Sequence, residues 1–149
     1  MLILVSILAF VCPVLIGQLS QMVGRKKMFL ISGVITLAVV PVSYHILART
    51  QSFSAILFLT ILISCVGNMP YAPVLIFLNE RFPVEVRASG TAVSWNVGFA
   101  IGGMMPAIVT AVSPTITLIP SRLILFGVVL SVLFLVGSAI TSETKGNFS

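Results

Sequence analysis

Charged residues are scarce in this sequence of 149 residues. Asp, Glu, Lys and Arg together make up 7% of it, whereas an average soluble domain carries about 25%. Hydrophobic residues make up 58%, and a domain of this size has too little interior to hide so many from water. The composition excludes an ordinary soluble fold and predicts that a lipid bilayer surrounds the chain.

Carboxylates and imidazoles are scarcer still. The acidic residues are Glu80, Glu85 and Glu143, all outside the apolar runs, and the single histidine is His45. Proton-coupled carriers commonly use Asp, Glu or His inside the membrane. We interpret His45, near the end of an apolar run, as an interfacial residue. If the chain takes part in proton-coupled transport, we expect the main proton relay in sequence that this chain lacks.

The residues that most enzymes need are also missing. Cys12 and Cys65 are the only cysteines, and both lie inside apolar runs, far from any metal-ligand spacing. That pattern predicts packed thiols, with neither a disulfide nor a metal site. No nucleophile stands beside a base and no loop could cradle a phosphate, so we expect no catalytic residue, no cofactor and no enzymatic activity.

Long apolar runs are what the sequence does contain. A run of about 20 residues crosses the hydrocarbon core of a bilayer as a helix. Five such runs predict an all-α integral membrane protein, with residues 1–140 as a transmembrane helical bundle and residues 141–149 as a polar tail. The predicted spans cover residues 1–20, 28–48, 53–78, 89–113 and 118–140.

The positive charges indicate an orientation. Six of the 8 Lys and Arg residues lie on one side of the predicted spans, namely Arg25, Lys26, Lys27, Arg81, Arg87 and Lys145. Only Arg49 and Arg122 lie on the other side. Because positive loops stay cytoplasmic, we expect a multi-pass plasma membrane protein with its N-terminus outside and its C-terminus inside. The cations are too scattered for a nucleic-acid surface.

Two loops on the predicted cytoplasmic side combine charge with turn residues. In the first, predicted from Gln21 to Lys27, Gly17 and Gly24 permit a tight turn beside Arg25 and Lys26. An ordinary positive loop that anchors among lipid headgroups is an equally good interpretation.

The second loop, residues 79–88, carries Glu80, Arg81 and Arg87. Its opposite charges could form ion pairs that hold one cytoplasmic arrangement. Exposed pairs are usually worth less than about 1 kcal/mol each. We therefore expect a gate made of such pairs to be individually weak.

The third span contains Pro70 and Pro73 near its middle. Each proline lacks a backbone donor and clashes with the preceding turn, which predicts a kinked or broken helix. Such a break is tolerated at membrane depth only where protein or a water-filled cavity covers it. Asn68 and Tyr71 flank it and are candidates for contact with a substrate. A purely structural kink, whose polar groups bond neighbouring helices, is the alternative.

The fourth span places small residues every four positions. This stripe consists of Gly90, Ser94, Gly98 and Gly102. Stripes of this kind let helix backbones approach closely, so we expect it to serve helix packing. We expect Trp95 and Asn96 to point away from the stripe. Asn96 would then face a translocation pathway or form an interhelical hydrogen bond.

These motifs resemble those of the major facilitator superfamily. The segment from Gly17 to Lys27 is similar to a loop found in both halves of its members, although Gln21 stands at the acidic position of their charge-based gating contact. The tail Glu143-Thr144-Lys145-Gly146 is similar to the end of their final helix. A further set resembles the metabolite:proton symporter branch, namely residues 80–83, Arg87, Gly90, Trp95, Asn96, Gly102, Gly103 and Pro106.

The resemblance implies that the five spans correspond to family helices eight to twelve. We therefore expect the C-terminal fragment of a secondary active transporter that moves small organic acids or zwitterionic osmolytes with protons, by alternating access. Its expected partners are lipid, solute, protons and a missing N-terminal half. The alternatives are a small non-transporting membrane protein that packs with a partner or as an oligomer, and an inactive truncated fragment.

Overall fold

The computed structural model describes residues 2–144, which contain helices and no strand. Five stretches are long and apolar enough to cross a membrane, with α3 and α4 sharing one of them. The expected all-α membrane fold is confirmed. Lys145, counted above among the cytoplasmic cations, lies outside the described residues. The helices are α1 (Leu2–Val23), α2 (Arg25–Leu47), α3 (Phe53–Asn68), α4 (Tyr71–Arg81), α5 (Arg87–Ala111) and α6 (Ile119–Ile140), which follows a 3-10 turn at Ile116–Leu118.

The predicted loop from Gln21 to Lys27 is almost absent. Helix α1 continues to Val23 and α2 begins at Arg25, so Gly24 alone separates them. Gly24 has φ 108° and ψ 152°, a conformation that residues with a β-carbon rarely adopt. The prediction of a loop was wrong because one glycine in this conformation reverses the chain between two antiparallel helices.

The third span breaks where its two prolines predict. Helix α3 ends at Asn68, and α4 begins at Tyr71 after Met69 and Pro70. The carbonyl of Val66 accepts a bond from the Met69 amide (3.2 Å) and a longer one from the hydroxyl of Thr36 on α2 (3.5 Å). Protein therefore covers one of the backbone groups at the break, as membrane depth requires.

Helices α2 and α6 form the most extensive contact of the bundle. The ring of Phe29 on α2 packs edge-on against Phe134 of α6, with centroids 6.1 Å apart, and against Phe77 of α4, at 5.5 Å. Gly33 lies directly beneath Leu135 of α6. These contacts place the best-packed core between α2, α4 and α6, while many apolar side chains elsewhere remain exposed for lipid or a partner.

Three buried serines within the spans bond to the backbone of their own helices. Ser32, Ser131 and Ser138 are buried, and each donates to a carbonyl three or four residues earlier, at 2.6 to 3.1 Å. Such local bonds remove the cost of placing a hydroxyl in an apolar environment. These three serines thus need no partners from other helices.

We expect Gly33→Val to loosen the contact between α2 and α6. A β-carbon at Gly33 would lie 2.6 Å and 2.9 Å from Cδ2 and Cγ of Leu135, and overpacking of this kind costs about 1–3 kcal/mol. Gly137→Val is the matched control, because a β-carbon there meets nothing within 4 Å. The measurement is thermal unfolding in detergent. Equal unfolding temperatures for the two variants would contradict the packing.

Candidate functional site

A cavity of about 610 Å³ opens between α4 and α5, and we call it the aromatic cavity. The break before α4 places Pro70 and Tyr71 at its wall, while α5 supplies small residues that leave space opposite. None of the charged side chains in residues 2–144 lines it. Its lining residues are Pro70, Tyr71, Val74, Leu78, Ser94, Trp95, Gly98, Phe99, Gly102 and Gly103.

Three rings form one face of the aromatic cavity. Tyr71 stands perpendicular to both Trp95 and Phe99, with centroids 5.5 Å and 5.9 Å away. Trp95 and Phe99, one turn apart on α5, have centroids 5.2 Å apart and a 48° tilt. Edge-to-face pairs at these distances stabilise one another by about 0.5–1.5 kcal/mol. The face is therefore held in a defined shape by contacts between its own rings.

The candidate pathway residues divide into two pairs. Tyr71 and Trp95 meet in the aromatic cavity, whereas Asn68 and Asn96 do not line it. The Asn68 amide donates to the Ser64 carbonyl (2.7 Å) and the Asn96 amide to the Ala92 carbonyl (2.8 Å). Both bonds run back along the residue's own helix. Among the described residues, these bonds therefore satisfy the two amides within their own helices.

The sequence did not identify Phe99, although a signal was present. Trp95 and Phe99 are four residues apart, which places them on the same face of a helix. Trp95 also lines the cavity together with Ser94 and Gly98. We expected Trp95 to point away from the small-residue stripe, and the cavity that it lines is also lined by members of that stripe.

The small-residue stripe on α5 has two environments. A β-carbon at Gly90 would lie 2.6 Å from the Phe82 ring, so the turn between α4 and α5 packs on this glycine. At Gly98 and Gly102 a β-carbon would meet nothing within 4 Å. Together with Ser94 they line the aromatic cavity. Within residues 2–144, the expected close helix packing is thus found at neither Gly98 nor Gly102.

A second arrangement, the charge cluster, joins the α1–α2 turn to the end of α4. It consists of Ser20, Arg25, Glu80, Glu143 and Thr144. The guanidinium of Arg25 bonds the Glu80 carboxylate at 2.8 Å, and the two side chains are only 5% and 3% exposed. Arg25 also donates to the Ser20 hydroxyl (2.8 Å), and Thr144 donates to Glu80 (2.7 Å). Each buried charge thus has several partners, which is the condition for tolerating it.

Glu143 provides the N-terminal cap of α2 from a distant part of the chain. Its carboxylate accepts bonds from the backbone amides of Arg25 (2.8 Å) and Lys26 (3.2 Å). A carboxylate here pairs with the positive end of the helix dipole and satisfies two amides that lack helical partners. A β-carbon at Gly24 would lie 2.6 Å from this carboxylate, so Gly24 is needed for space as well as for its conformation.

The ion pair differs from the one expected within residues 79–88. Glu80 pairs with Arg25, far away in sequence, and the pair is buried, so the estimate for weak exposed pairs does not apply to it. Gln21, at the family's acidic position, is exposed.

Three of the remaining predicted gating residues, Lys26, Arg81 and Arg87, make contacts at the same end of the bundle. Lys26 donates to the Ala139 carbonyl (2.8 Å) and Arg81 to the Ser142 hydroxyl (2.9 Å). Arg87 donates to the carbonyl of Phe82 (3.1 Å). A β-carbon on Gly17 would lie 3.0 Å from Ala72, so α1 and α4 approach closely there. The predicted cytoplasmic segments are therefore neighbours in space.

Comparison with known proteins identifies the family of this chain. The sequence model of the family described as "Sugar (and other) transporter" matches residues 1–148. The chain belongs to this family. The expected membership of the major facilitator superfamily is thereby confirmed, and the family accounts for a multi-pass membrane chain.

A relative of this transporter-family chain is the citrate-proton symporter of Klebsiella pneumoniae. The two are 29% identical over 96 residues, which cover 64% of this chain and 22% of the relative. The chain therefore spans only a small part of that protein's length. No solved structure matches the chain.

Removal of the Glu143 charge should destabilise α2. We expect Glu143→Gln to lower the free energy of unfolding in detergent by about 1 kcal/mol, the usual worth of a helix N-terminal cap. Glu85→Gln is the matched control, because Glu85 is an exposed residue of the α4–α5 connection. A loss for Glu143→Gln no larger than that for Glu85→Gln would show that the cap contributes little.

Proposed function

We propose that this chain is the C-terminal part of a secondary active transporter for small organic solutes, corresponding to family helices eight to twelve. The observation that carries the proposal is the aromatic cavity, a partly open space between two spans of a transporter-family chain. Its volume of about 610 Å³ falls within the roughly 300–1,000 Å³ typical of small-molecule sites. The short overlap with the citrate-proton symporter is consistent with a part of a longer protein.

The lining of the aromatic cavity restricts how it contacts a solute. Tyr71, Ser94 and Trp95 supply neutral polar groups, and the rest of the lining is apolar. A charged carboxylate or ammonium group that entered here would lose hydration without a counter-ion. The cavity therefore contacts the uncharged part of the solute, and the remaining helices provide the opposite charge. Small organic acids and zwitterionic osmolytes fit a site in which the cavity contacts the uncharged part of the solute and other helices bind its charge.

The residues that couple transport to protons lie in the part of the transporter outside this chain. Glu80 is the acidic residue within the described spans, and it is already bonded to Arg25 and Thr144. His45 lies at the other end of α2 from Arg25, and it does not line the aromatic cavity. The proton relay therefore belongs to helices that precede these spans.

The charge cluster fixes one conformation at the cytoplasmic end. It ties α2 to α4 and to the segment after α6 through bonds that include Arg25, Glu80 and Glu143. Alternating access exposes a central site to each side in turn, so the cluster acts as a latch on this half. The orientation, with the N-terminus outside and the C-terminus inside, follows from the positive charges at this same end.

One observation favours a second function. Gly98 and Gly102 have open space in front of them, so α5 offers a small-residue surface to a helix from another chain. A non-transporting membrane protein that assembles with a partner through α5 would use the same surface. Uptake measurements separate the two functions, because only the transporter moves solute.

The test measures uptake of labelled citrate and labelled betaine by cells that express this chain together with upstream helices reconstructed from its family. We expect Phe99→Ala to raise KM about 2- to 10-fold, because an aromatic contact is worth about 0.5–1.5 kcal/mol. Phe58→Ala is the matched control. Phe58 is 64% exposed and lies outside the cavity, while Phe99 is 49% exposed and lines it.

Three outcomes would contradict the proposal. Equal uptake by Phe99→Ala and Phe58→Ala would remove the aromatic cavity from the solute pathway. Absence of uptake with the upstream helices present and the protein correctly inserted would favour the non-transporting function. Saturable uptake by the chain alone would show that it builds its own pathway.

A further inference from the structure

Arg122 is a cation within the last span, in the first turn of α6. Two contacts show that α2 and α6 run antiparallel. Gly33 lies beneath Leu135, and a β-carbon on Gly127 would lie 3.8 Å from Cγ1 of Val40. The same register, continued toward the start of α6, places Arg122 level with the last turn of α2. Arg122 therefore lies at the end of the bundle opposite the charge cluster.

The side chain of Arg122 carries an unsatisfied donor. Its Nε atom is buried, and no acceptor in residues 2–144 bonds to it. A buried N–H group without an acceptor is costly, and the cost is larger when the group is charged. An external acceptor that bonds this N–H would remove the cost. The guanidinium of Arg122 therefore favours a bound anion.

The acidic side chains of the chain lie too far away to serve as that anion. The three acidic residues are Glu80, Glu85 and Glu143. Glu80 and Glu143 belong to the charge cluster, and Glu85 lies in the connection after α4, at that same end. About 27 Å of helix separates Arg122 from the last residue of α6, where that end begins. The counter-ion of Arg122 thus comes from outside these helices.

The depth of Arg122 points to a lipid headgroup. The last span covers 25 residues, Ile116–Ile140, and Arg122 stands six residues from its middle. With the span centred in the bilayer, Arg122 lies about 9 Å from the midplane, while the hydrocarbon core ends at about 15 Å. Long cationic side chains near helix ends extend over such a distance to the interface. The anion within reach at that level is the phosphate of a lipid.

We propose that Arg122 binds the phosphate of an anionic phospholipid at this end of the bundle. A guanidinium presents Nε–H and one Nη–H side by side, a geometry that matches two phosphate oxygens. These bonds satisfy the buried donor and neutralise the cation. Arg49, exposed in the α2–α3 connection at the same end, adds attraction for anionic lipid. The site does not depend on the proposed transport function, because it requires only these helices beside lipid.

The experiment uses the full chain in micelles of an uncharged detergent, with phosphatidylglycerol as the probe. Native mass spectrometry measures the fraction of chains that retain one lipid as its concentration rises. We expect Arg122→Gln to weaken lipid binding about 10- to 100-fold, as the loss of hydrogen bonds to a charged group does. Arg122→Lys keeps the charge but loses the paired donors, so its affinity should lie between those of the native chain and Arg122→Gln.

Arg49→Gln is the matched control, because it removes the same charge from the same end of the bundle. It should weaken lipid binding much less than Arg122→Gln does. Circular dichroism checks that each variant keeps its helices. Equal losses for Arg49→Gln and Arg122→Gln would overturn the proposal, and so would native affinity in Arg122→Lys, because either result would mean that no paired bond to the phosphate forms.

Two further probes identify the source of the anion. Phosphatidylcholine, whose own ammonium group offsets its phosphate, should bind more weakly than phosphatidylglycerol. Inorganic phosphate at the same concentration as the lipid should not displace it, because the acyl chains add apolar contacts that phosphate lacks. Equal binding of the two lipids would overturn the selection of anionic lipid. Displacement by inorganic phosphate would assign Arg122 to a soluble anion and overturn the proposal.

Discussion

The buried pair of Arg25 and Glu80 is the interaction on which one end of this bundle depends. Two opposite charges with 5% and 3% exposure are tolerable only when each is fully bonded. The bonds that satisfy them come from Ser20 at the end of α1 and Thr144 after α6. The bonds around the two buried charges thus fix the end of α1, α2, α4 and the segment after α6 relative to one another. The amide of Arg25 adds Glu143 to the same arrangement.

The bilayer imposes the second constraint, which connects the break in the third span to the aromatic cavity. Pro70 cannot donate a backbone bond, so α3 stops and α4 starts in a slightly different position. Tyr71, the first residue of α4, then projects toward Trp95 and Phe99 on α5. Helix α5 leaves room there because glycines face the space. A local covalent property of proline thereby places the candidate solute site about 14 Å along α4 from the charge cluster.

The sequence was sufficient to predict the class of fold, the five spans and the break, because each depends on local composition. It was insufficient where the outcome depends on contacts between distant residues. Glu80 could pair with any nearby cation, and the packing of α2 against α4 brings Arg25 to it. The small-residue stripe predicted packing, but Gly98 and Gly102 line a cavity.

The most direct test of this account is a double-mutant cycle on the buried pair, with Arg25→Met, Glu80→Gln and both together, followed by unfolding in mixed micelles. We predict that Arg25→Met alone costs about 3–5 kcal/mol, because it leaves Glu80 buried and unpaired. The cycle should give a coupling energy above about 1.5 kcal/mol, as close charge pairs do elsewhere. Costs that simply add, with a coupling energy below about 0.5 kcal/mol, would contradict the central place given to this pair.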